Sequence, residues 1–292
     1  MDKLIITCAG NERVYYQDLP GVPKGAEGIA ESMRAAYEEG AAVAHLHGPH
    51  GGLMGKQMAP FLDAEDWRIE TRMVMDQTPL IIQHGVAAAP FEQRVKKMQL
   101  GAEKPEMISV CLTGHDYHRD GRDYYINHVR DEIVEYAKAC RQYGVKPEFE
   151  VFHLGAIWNV EWLIEKGLVD PPYWLTLFIG VRGGVWTPPT VEEVLHRVRN
   201  LPKESIWQVA VWGGPRGTAT CSVQTSLLTL AIMLGGHVRL GIEDNPYYTD
   251  GVPAQSNAQQ VARIARIAAD LGREVATPDE ARRIIGLPLR KQ

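Results

Sequence analysis

The sequence predicts an α/β fold in which eight parallel strands and their helices close into a single TIM (β/α)8 barrel. Short runs rich in β-branched residues alternate with longer segments whose apolar residues lie three or four apart, and eight such rounds fill the 292 residues. Strand and helix in turn imply parallel pairing through right-handed crossovers. Eight units in a chain of this length favour a barrel over an open doubly wound sheet. No linker or internal repeat interrupts the pattern, so we expect one domain over residues 1–292.

The predicted strands follow one another at regular intervals. In chain order they are residues 4–10 (LIITCAG), 41–47 (AAVAHLH), 79–85 (PLIIQHG), 107–113 (MISVCLT), 148–154 (EFEVFHL), 174–180 (WLTLFIG), 206–212 (IWQVAVW) and 237–243 (HVRLGIE). Amphipathic segments such as AEGIAESMRAAYEEG and VEEVLHRVRN are predicted to be the helices between them. The tail TPDEARRIIGL predicts an additional C-terminal helix over residues 277–286, because its first Thr can cap it.

Composition limits the classes of function. The hydrophobic fraction is 45% and the net charge is -5, with no basic patch that would bind nucleic acid. The four cysteines form no CxxC pair, which argues against a disulfide framework or a zinc site built from thiolates. The N-terminus is too poor in apolar residues for a signal peptide, and no run approaches the ~18 apolar residues of a membrane span. We therefore expect a soluble, cytoplasmic protein that acts on small molecules.

Two histidines at the end of the second predicted strand are the first candidates for chemistry. His45 and His47 flank Leu46, so both imidazoles lie on one face at the carboxyl end of the strand. TIM barrels carry their functional groups at this end. Two imidazoles suit Zn²⁺, which in a catalytic site takes a third protein ligand and leaves one position open. The pair alone leaves two interpretations open, a metal site or a buried strand that carries two histidines.

The eighth predicted strand offers a carboxylate that could complete such a site. Arg239 and Glu243 share one parity and are expected to face the barrel interior. In a closed barrel this strand lies beside the first and two places from the second, so Glu243 can reach a metal held by His45 and His47. An Arg239–Glu243 ion pair that only fills the barrel is the alternative. Asp244, the next residue, is a carboxylate beside a cation and a candidate base.

The fourth and fifth strands and one loop carry further candidates. Glu150 lies nearer the active end of strand five and is the better functional candidate, whereas Glu148 is expected to brace the barrel. Glu12, just past strand one, could contact a substrate amine or a metal-bound water, with an exposed loop residue as the alternative. Small polar groups suited to hydrogen-bonding a carboxylate face inward from strand four: Ser109, Cys111 and Thr113.

Other polar residues near strand ends receive weaker predictions. Arg216, in a Gly-rich loop after strand seven, is expected to suit the phosphates of a nucleotide-bearing cosubstrate. His153, at the start of a loop, is interpreted as a third imidazole or, more often for such a position, a hydrogen-bonded structural group. Four histidines are expected to be surface groups rather than ligands: His50, His84, His115 and His118.

Seven stretches, in order over nearly the whole chain, resemble the β-keto acid cleavage enzymes, the family of the 3-keto-5-aminohexanoate cleavage enzyme. They are EEGAAVAHLHGP, KPEMISV, GVKPEFEVFHLG, GVRGGVWTP, LGGHVRLGIEDNPYY, SNAQQV and LGREVATPDEARRIIGL. The resemblance implies a zinc-dependent TIM barrel that converts a β-keto acid and acetyl-CoA into acetoacetate and a new acyl-CoA. It also implies a homo-oligomer, with a tetramer favoured, and a transferase of the acyltransferase type.

The resemblance also assigns roles to individual residues. By it, His45, His47 and Glu243 would hold Zn²⁺, which acts as a Lewis acid toward the keto group. Arg239 and Asp244 match the family's pair that orients the substrate and removes its C2 proton. The remaining matches are Glu150 as the strand-five catalytic acid and Glu12 and Ser109 as substrate-binding positions. Gly85 is a third predicted substrate-binding position, although its residue type departs from the family pattern.

Departures from the family pattern bear on the substrate. After strand three the chain reads IIQHGVAAAP, so Gly85, Val86 and Ala87 replace hydroxyl residues that touch the substrate. Cys111 stands where Asn is common and His153 where Asp is common. The loop VWGGPRGTATCSVQ is longer than usual and is expected to reshape the CoA entrance.

Two other functions are alternatives to β-keto acid cleavage. A metal-dependent TIM-barrel hydrolase or lyase, acting on a carboxylated small molecule without CoA, stays the alternative. An amidohydrolase would carry its HxH pair on the first strand, and this chain carries it on the second. A non-catalytic binding barrel is disfavoured because Arg239, Glu243 and Asp244 are all present.

Overall fold

Eight parallel strands close into a barrel in the computed structural model, which describes residues 1–10, 19–48, 64–85, 89–119, 122–183 and 187–290. The barrel strands are β1 (Ile6–Ala9), β2 (Val43–Leu46), β3 (Ile81–His84), β4 (Met107–Cys111), β7 (Lys146–Val151), β8 (Tyr173–Ile179), β9 (Ser205–Val211) and β10 (His237–Leu240). Around the barrel their order is β1-β10-β9-β8-β7-β4-β3-β2. The predicted TIM barrel is confirmed, and each predicted strand corresponds to one barrel strand.

Nine α-helices surround the strands within the described ranges. They are α1 (Gly25–Glu38), α2 (Ala64–Gln77), α3 (Phe91–Met98), α4 (Arg130–Tyr143), α5 (Leu154–Glu165), α6 (Val191–Arg199), α7 (Cys221–Met233), α8 (Asn257–Asp270) and α9 (Pro278–Ile285). Their buried faces form the main core with the outward side chains of the strands; Ile29 and Met33 of α1, for example, share a cluster with Ile6 and Ala44. Each such aliphatic side chain contributes about 1.5–3 kcal/mol on burial, so the layer outside the strands carries most of the hydrophobic stabilisation.

Two short hairpins lie outside the barrel. The first joins β5 (His115–Arg119) to β6 (Arg122–Ile126), and the second joins β11 (Tyr247–Thr249) to β12 (Val252–Pro253); both are antiparallel. Neither hairpin was predicted. The first follows β4 directly and therefore emerges at the carboxyl end of the barrel.

The eighth barrel strand is shorter than predicted. It ends at Leu240, and Gly241 takes a φ of +151°, a backbone conformation that side-chain-bearing residues rarely adopt. A Cβ on Gly241 would lie 2.1 Å from the Ala9 carbonyl oxygen, so only glycine fits where the chain turns across β1. Glu243 therefore lies in a turn, and its backbone N–H donates to the Ala9 carbonyl. The prediction that Glu243 lies on the strand itself is wrong, although its carboxylate still reaches His45 and His47.

A polar layer fills the barrel below its carboxyl end. Glu148 on β7 is fully buried and accepts hydrogen bonds from Ser109 Oγ at 2.7 Å and from Gln208 Nε2 at 3.3 Å. Gln83 and Thr176 donate to the same carboxylate. Because an unsatisfied buried carboxylate costs several kcal/mol, these donors from four different strands are what allow the charge to sit there. Glu148 braces the barrel, as the sequence predicted.

The C-terminal helix covers the opposite end of the barrel. α9 begins after Thr277, which forms a capping box with Glu280, and ends before Gly286. Arg282 on α9 is fully buried and donates to Glu106 and to the Leu80 carbonyl. Among the described residues, none of the helices combines the length and the apolar composition needed to cross a membrane.

Candidate active site

Two imidazoles and a carboxylate meet where β2 and β10 end on either side of β1. His47 Nε2 lies 3.1 Å from His45 Nε2 and 3.0 Å from Glu243 Oε1. His45 Nε2 lies 3.6 Å from Glu243 Oε2. One ligand atom from each of the three residues lies within 4.8 Å of the others. His45 and Glu243 are almost fully buried, while 16% of the His47 side chain is exposed, so the cluster opens on the His47 side.

Gly85 provides the space that the two imidazoles occupy. It follows β3, next to β2, and a Cβ built on it would lie 2.5 Å from His45 Nε2 and 2.7 Å from His47 Cε1. Side-chain carbons do not approach other atoms this closely. The absence of a side chain at Gly85 therefore allows both rings to converge on Glu243.

Arg239 is the charge centre of the site. Its guanidinium binds both Asp244 oxygens, with Nε 3.2 Å from Oδ2 and Nη2 3.0 Å from Oδ1. Nη2 also donates to Glu243 Oε1 at 2.5 Å, and Nη1 lies 3.2 Å from His45 Nε2. All four groups are buried. One fixed cation thus orients the base candidate and the carboxylate of the His–His–Glu cluster together.

The protonation states of the cluster suit a divalent metal. Burial and the neighbouring Arg239 guanidinium hold the pKa of His45 well below its usual range, so this imidazole is neutral. Burial alone would raise the pKa of Glu243, but the Arg239 charge and the His47 hydrogen bond outweigh it and hold that pKa well below its usual range. Neutral imidazole and ionised carboxylate are the forms that coordinate metal ions. Two histidines and a glutamate form a known ligand set of catalytic zinc sites, so these residues fit Zn²⁺.

Two further carboxyl groups have raised pKa values. Burial raises the pKa of Asp244 to about 6, although Arg239 opposes the shift. Burial beside Glu148 raises the pKa of Glu150 to about 7. Carboxyl groups that titrate near neutral pH can both take and give a proton during a reaction.

Aromatic and basic side chains lie beside the His–His–Glu cluster. Arg239 lies over the Phe178 ring at 5.1 Å, and the Arg216 guanidinium lies over the Trp212 ring at 3.8 Å. Arg216 Nη1 is 4.0 Å from Glu243 Oε1. Arg216 is buried beside Glu243, and its planar group stacks on Trp212, the residue that follows β9. Its predicted role toward the phosphates of a cosubstrate stays a prediction.

The other predicted site residues lie in different surroundings. Glu150, at the end of β7, is buried and accepts a hydrogen bond from the Cys111 thiol. Ser109 is fully buried one layer below and donates to Glu148, so its role toward the substrate stays a prediction. Glu12 lies outside the described residues, and its role also stays a prediction.

The histidines expected at the surface are partly misplaced by the sequence analysis. His84 ends β3 fully buried, with Nε2 2.8 Å from Thr71 Oγ1, and His115 is buried at the start of β5. His153 caps α5 by accepting from the Gly155 amide, which is the structural role considered for it. His50 and the side chain of His118 lie outside the described part of the chain. His84 was missed although it falls within a predicted strand, and His115 because the hairpin was missed.

Comparisons with known proteins identify the relatives of this chain. A model of the beta-keto acid cleavage enzyme family matches residues 3–287. The 3-keto-5-aminohexanoate cleavage enzyme of Acetoanaerobium sticklandii is 33% identical over 290 residues, which cover 98% of this chain and 99% of that protein. The 3,5-dioxohexanoate:acetyl-CoA acetone transferase of Paraburkholderia graminis is 25% identical, with 98% and 96% covered.

A solved structure shares the fold. The apo structure of ObcA superposes with a TM-score of 0.70 at 20% identity, over 92% of this chain and 66% of the ObcA chain. The family model and the relatives match nearly the whole chain, and the ObcA structure has the same barrel architecture. The chain belongs to the β-keto acid cleavage enzyme family and is an enzyme of the transferase class.

Proposed function

We propose that the protein is a zinc-dependent β-keto acid cleavage enzyme that uses acetyl-CoA. The observation that carries the proposal is the convergence of His45, His47 and Glu243 beside the Arg239–Asp244 pair, in a chain of this family. The C2–C3 bond of the keto acid breaks, and its carboxymethyl group joins the acetyl group to give acetoacetate. The remaining acyl group leaves as the new CoA thioester.

In this proposal some side chains bind the metal and others transfer the proton. His45, His47 and Glu243 would hold zinc, which when bound supplies Lewis-acid polarisation of the keto group. Asp244 takes the proton from the carbon between the keto and carboxylate groups. Its two bonds to Arg239 fix its orientation, which removes the entropic cost of aligning a mobile base.

Glu150 and Arg216 complete the site. Glu150 is the second buried carboxyl group at the carboxyl end of the barrel, and we assign it the relay of a proton when the C2–C3 bond of the keto acid breaks. Arg216 presents a positive charge beside Glu243 and stabilises the negative charge of the keto acid as it develops.

The use of acetyl-CoA is supported by the relatives. The name of the Paraburkholderia graminis relative includes acetyl-CoA. A homo-oligomer, with a tetramer favoured, and a cytoplasmic location stay predictions from the sequence.

A substrate panel with and without acetyl-CoA tests the proposal. Purified protein should contain zinc, and a panel of β-keto acids should yield acetoacetate and a new acyl-CoA, both detected by mass spectrometry. His45→Ala should abolish turnover and remove the zinc bound at the His–His–Glu cluster. The matched control is His196→Gln, which changes an exposed histidine on α6 and should alter neither.

Three results would contradict the proposal. These are undiminished turnover by His45→Ala, wild-type protein without metal, and keto acid consumption that is indifferent to acetyl-CoA. The last result would favour a metal-dependent hydrolase or lyase.

A further inference from the structure

A second group of metal-ligating side chains lies apart from the His–His–Glu cluster. Cys111 ends β4, His115 begins β5, and His128 follows β6, and all three are buried. One ligand atom from each lies within 4.8 Å of the other two. The hairpin returns the chain to its starting point, which brings two histidines thirteen positions apart back to the end of one barrel strand.

His128 is held in the manner of a metal ligand. His128 Nδ1 lies 3.3 Å from Glu132 Oε1, and its side chain is 2% exposed. Its second nitrogen, Nε2, has no hydrogen-bond partner among the described residues. The His115 ring stacks on the His128 ring, with the two centroids 5.3 Å apart. A ligating histidine characteristically uses one nitrogen for a carboxylate or carbonyl and the other for the metal.

The thiol and the surrounding charges fit a cation. Cys111 donates to Glu150, so a carboxylate lies directly beside the thiol. The nearby Arg94 is already paired with Glu132 and lies over the Tyr136 ring. A divalent ion would therefore be balanced by the Cys111 thiolate and the Glu150 carboxylate, with little net charge left buried.

We propose that Cys111, His115 and His128 bind a second zinc ion, separate from the one at His45, His47 and Glu243. One thiolate and two imidazoles form a ligand set that zinc accepts, and they leave a fourth position for water or an anionic group. Binding replaces the Cys111 proton, which passes to solvent, so each ion bound releases one proton. The site does not depend on the proposed function.

Sulfur ligation separates the two sites experimentally. The His–His–Glu cluster contains no sulfur, whereas the second site contains Cys111. Protein stripped of metal and titrated with Co²⁺ should therefore develop a thiolate-to-cobalt charge-transfer absorption from the second site alone. Zinc analysis of the wild-type protein should give about two ions per chain.

Matched variants complete the test. Cys111→Ser should lose one zinc and the charge-transfer absorption, while Cys221→Ser, at another buried cysteine, should keep both. His47→Ala should lose one zinc and retain the absorption. If Cys111→Ser fails to fold by circular dichroism, His128→Gln serves in its place and should lose the second zinc.

The proposal and the proposed function can fail separately. One zinc in wild-type protein without the sulfur absorption overturns the second site and leaves the first intact. An absorption that persists in Cys111→Ser also overturns it. Wild-type protein that holds its only zinc with the sulfur absorption supports the second site and contradicts the proposed function.

Discussion

Replacing Gly85 with alanine tests whether the space beside the imidazoles controls metal binding. The new Cβ would lie 2.5 Å from His45 Nε2 and 2.7 Å from His47 Cε1. An ordinary contact begins at 3.4 Å, so relieving the overlap requires a movement of about 0.9 Å. Functional groups must be held within about 0.5 Å of their working geometry. We therefore expect Gly85→Ala to weaken zinc binding about 10- to 100-fold, or about 1.4–2.7 kcal/mol.

The assay is a zinc competition titration against a chelator, with urea unfolding measured in parallel. Overpacking of this kind should cost about 1–3 kcal/mol of folding stability, too little to unfold the barrel. Gly28→Ala is the control, because a Cβ there comes no nearer than 3.8 Å to other atoms and alanine favours the helix. If Gly85→Ala binds zinc within twofold of the wild type, the ring positions described above do not determine metal affinity.

Three further predictions concern the base, the polar layer and acid stability. Asp244→Asn should lower kcat by about 10²- to 10⁴-fold while zinc content stays unchanged; a loss of zinc would show that Asp244 acts on the metal ligands instead. Glu148→Gln should lower the free energy of unfolding in urea by about 1–3 kcal/mol because donors to the buried carboxylate lose their acceptor, whereas Glu161→Gln on the exposed face of α5 should have little effect. Burial and Arg273 lower the pKa of His237 to about 3, while its Nδ1 accepts from the Ile5 amide. The contribution of neutral His237 to the free energy of unfolding is therefore fully present above pH ~6.5. As the pH falls from there toward ~3, this contribution decreases by about 1.4 kcal/mol per pH unit. His237→Asn keeps a hydrogen-bond acceptor near the position of Nδ1 but cannot take up a proton. Between pH 7 and pH 5 its free energy of unfolding should therefore fall by about 2 kcal/mol less than that of the wild type; equal decreases would contradict the assignment.

The strand side chains that face the helices could be predicted, because the alternation of apolar and polar residues identifies them directly. Val238 and Leu240 of β10, for instance, are buried against the helices, as their alternation with Arg239 indicated. The end of β10 could not be predicted from periodicity. Alternation continues through Glu243, and only the approach of Gly241 to the Ala9 carbonyl shows that the strand must stop.

The β5–β6 hairpin was missed for a different reason. An Asp-Gly pair at positions 120–121 is a recognised hairpin signal, but it falls outside the eight regularly spaced strand patterns on which the fold prediction depends. The consequence was to treat His115 as a surface group. The second candidate metal site could not be predicted without the hairpin. Its ligands have no short spacing like CxxC and come together only when the hairpin folds back.

The inward half of the barrel depends on register between strands, which one sequence does not contain. Thr7 of β1 pairs with Arg239 of β10, and Ala9 pairs with His45 of β2. Arg239 therefore starts one layer below the imidazoles, and its long side chain reaches upward to bind Glu243 and Asp244 after the turn. A lysine at this position could neutralise the charges but could not bind Asp244 through two parallel bonds while also contacting Glu243. The planar guanidinium is thus what allows one residue to set the geometry of both Glu243, the proposed metal ligand, and Asp244, the proposed base.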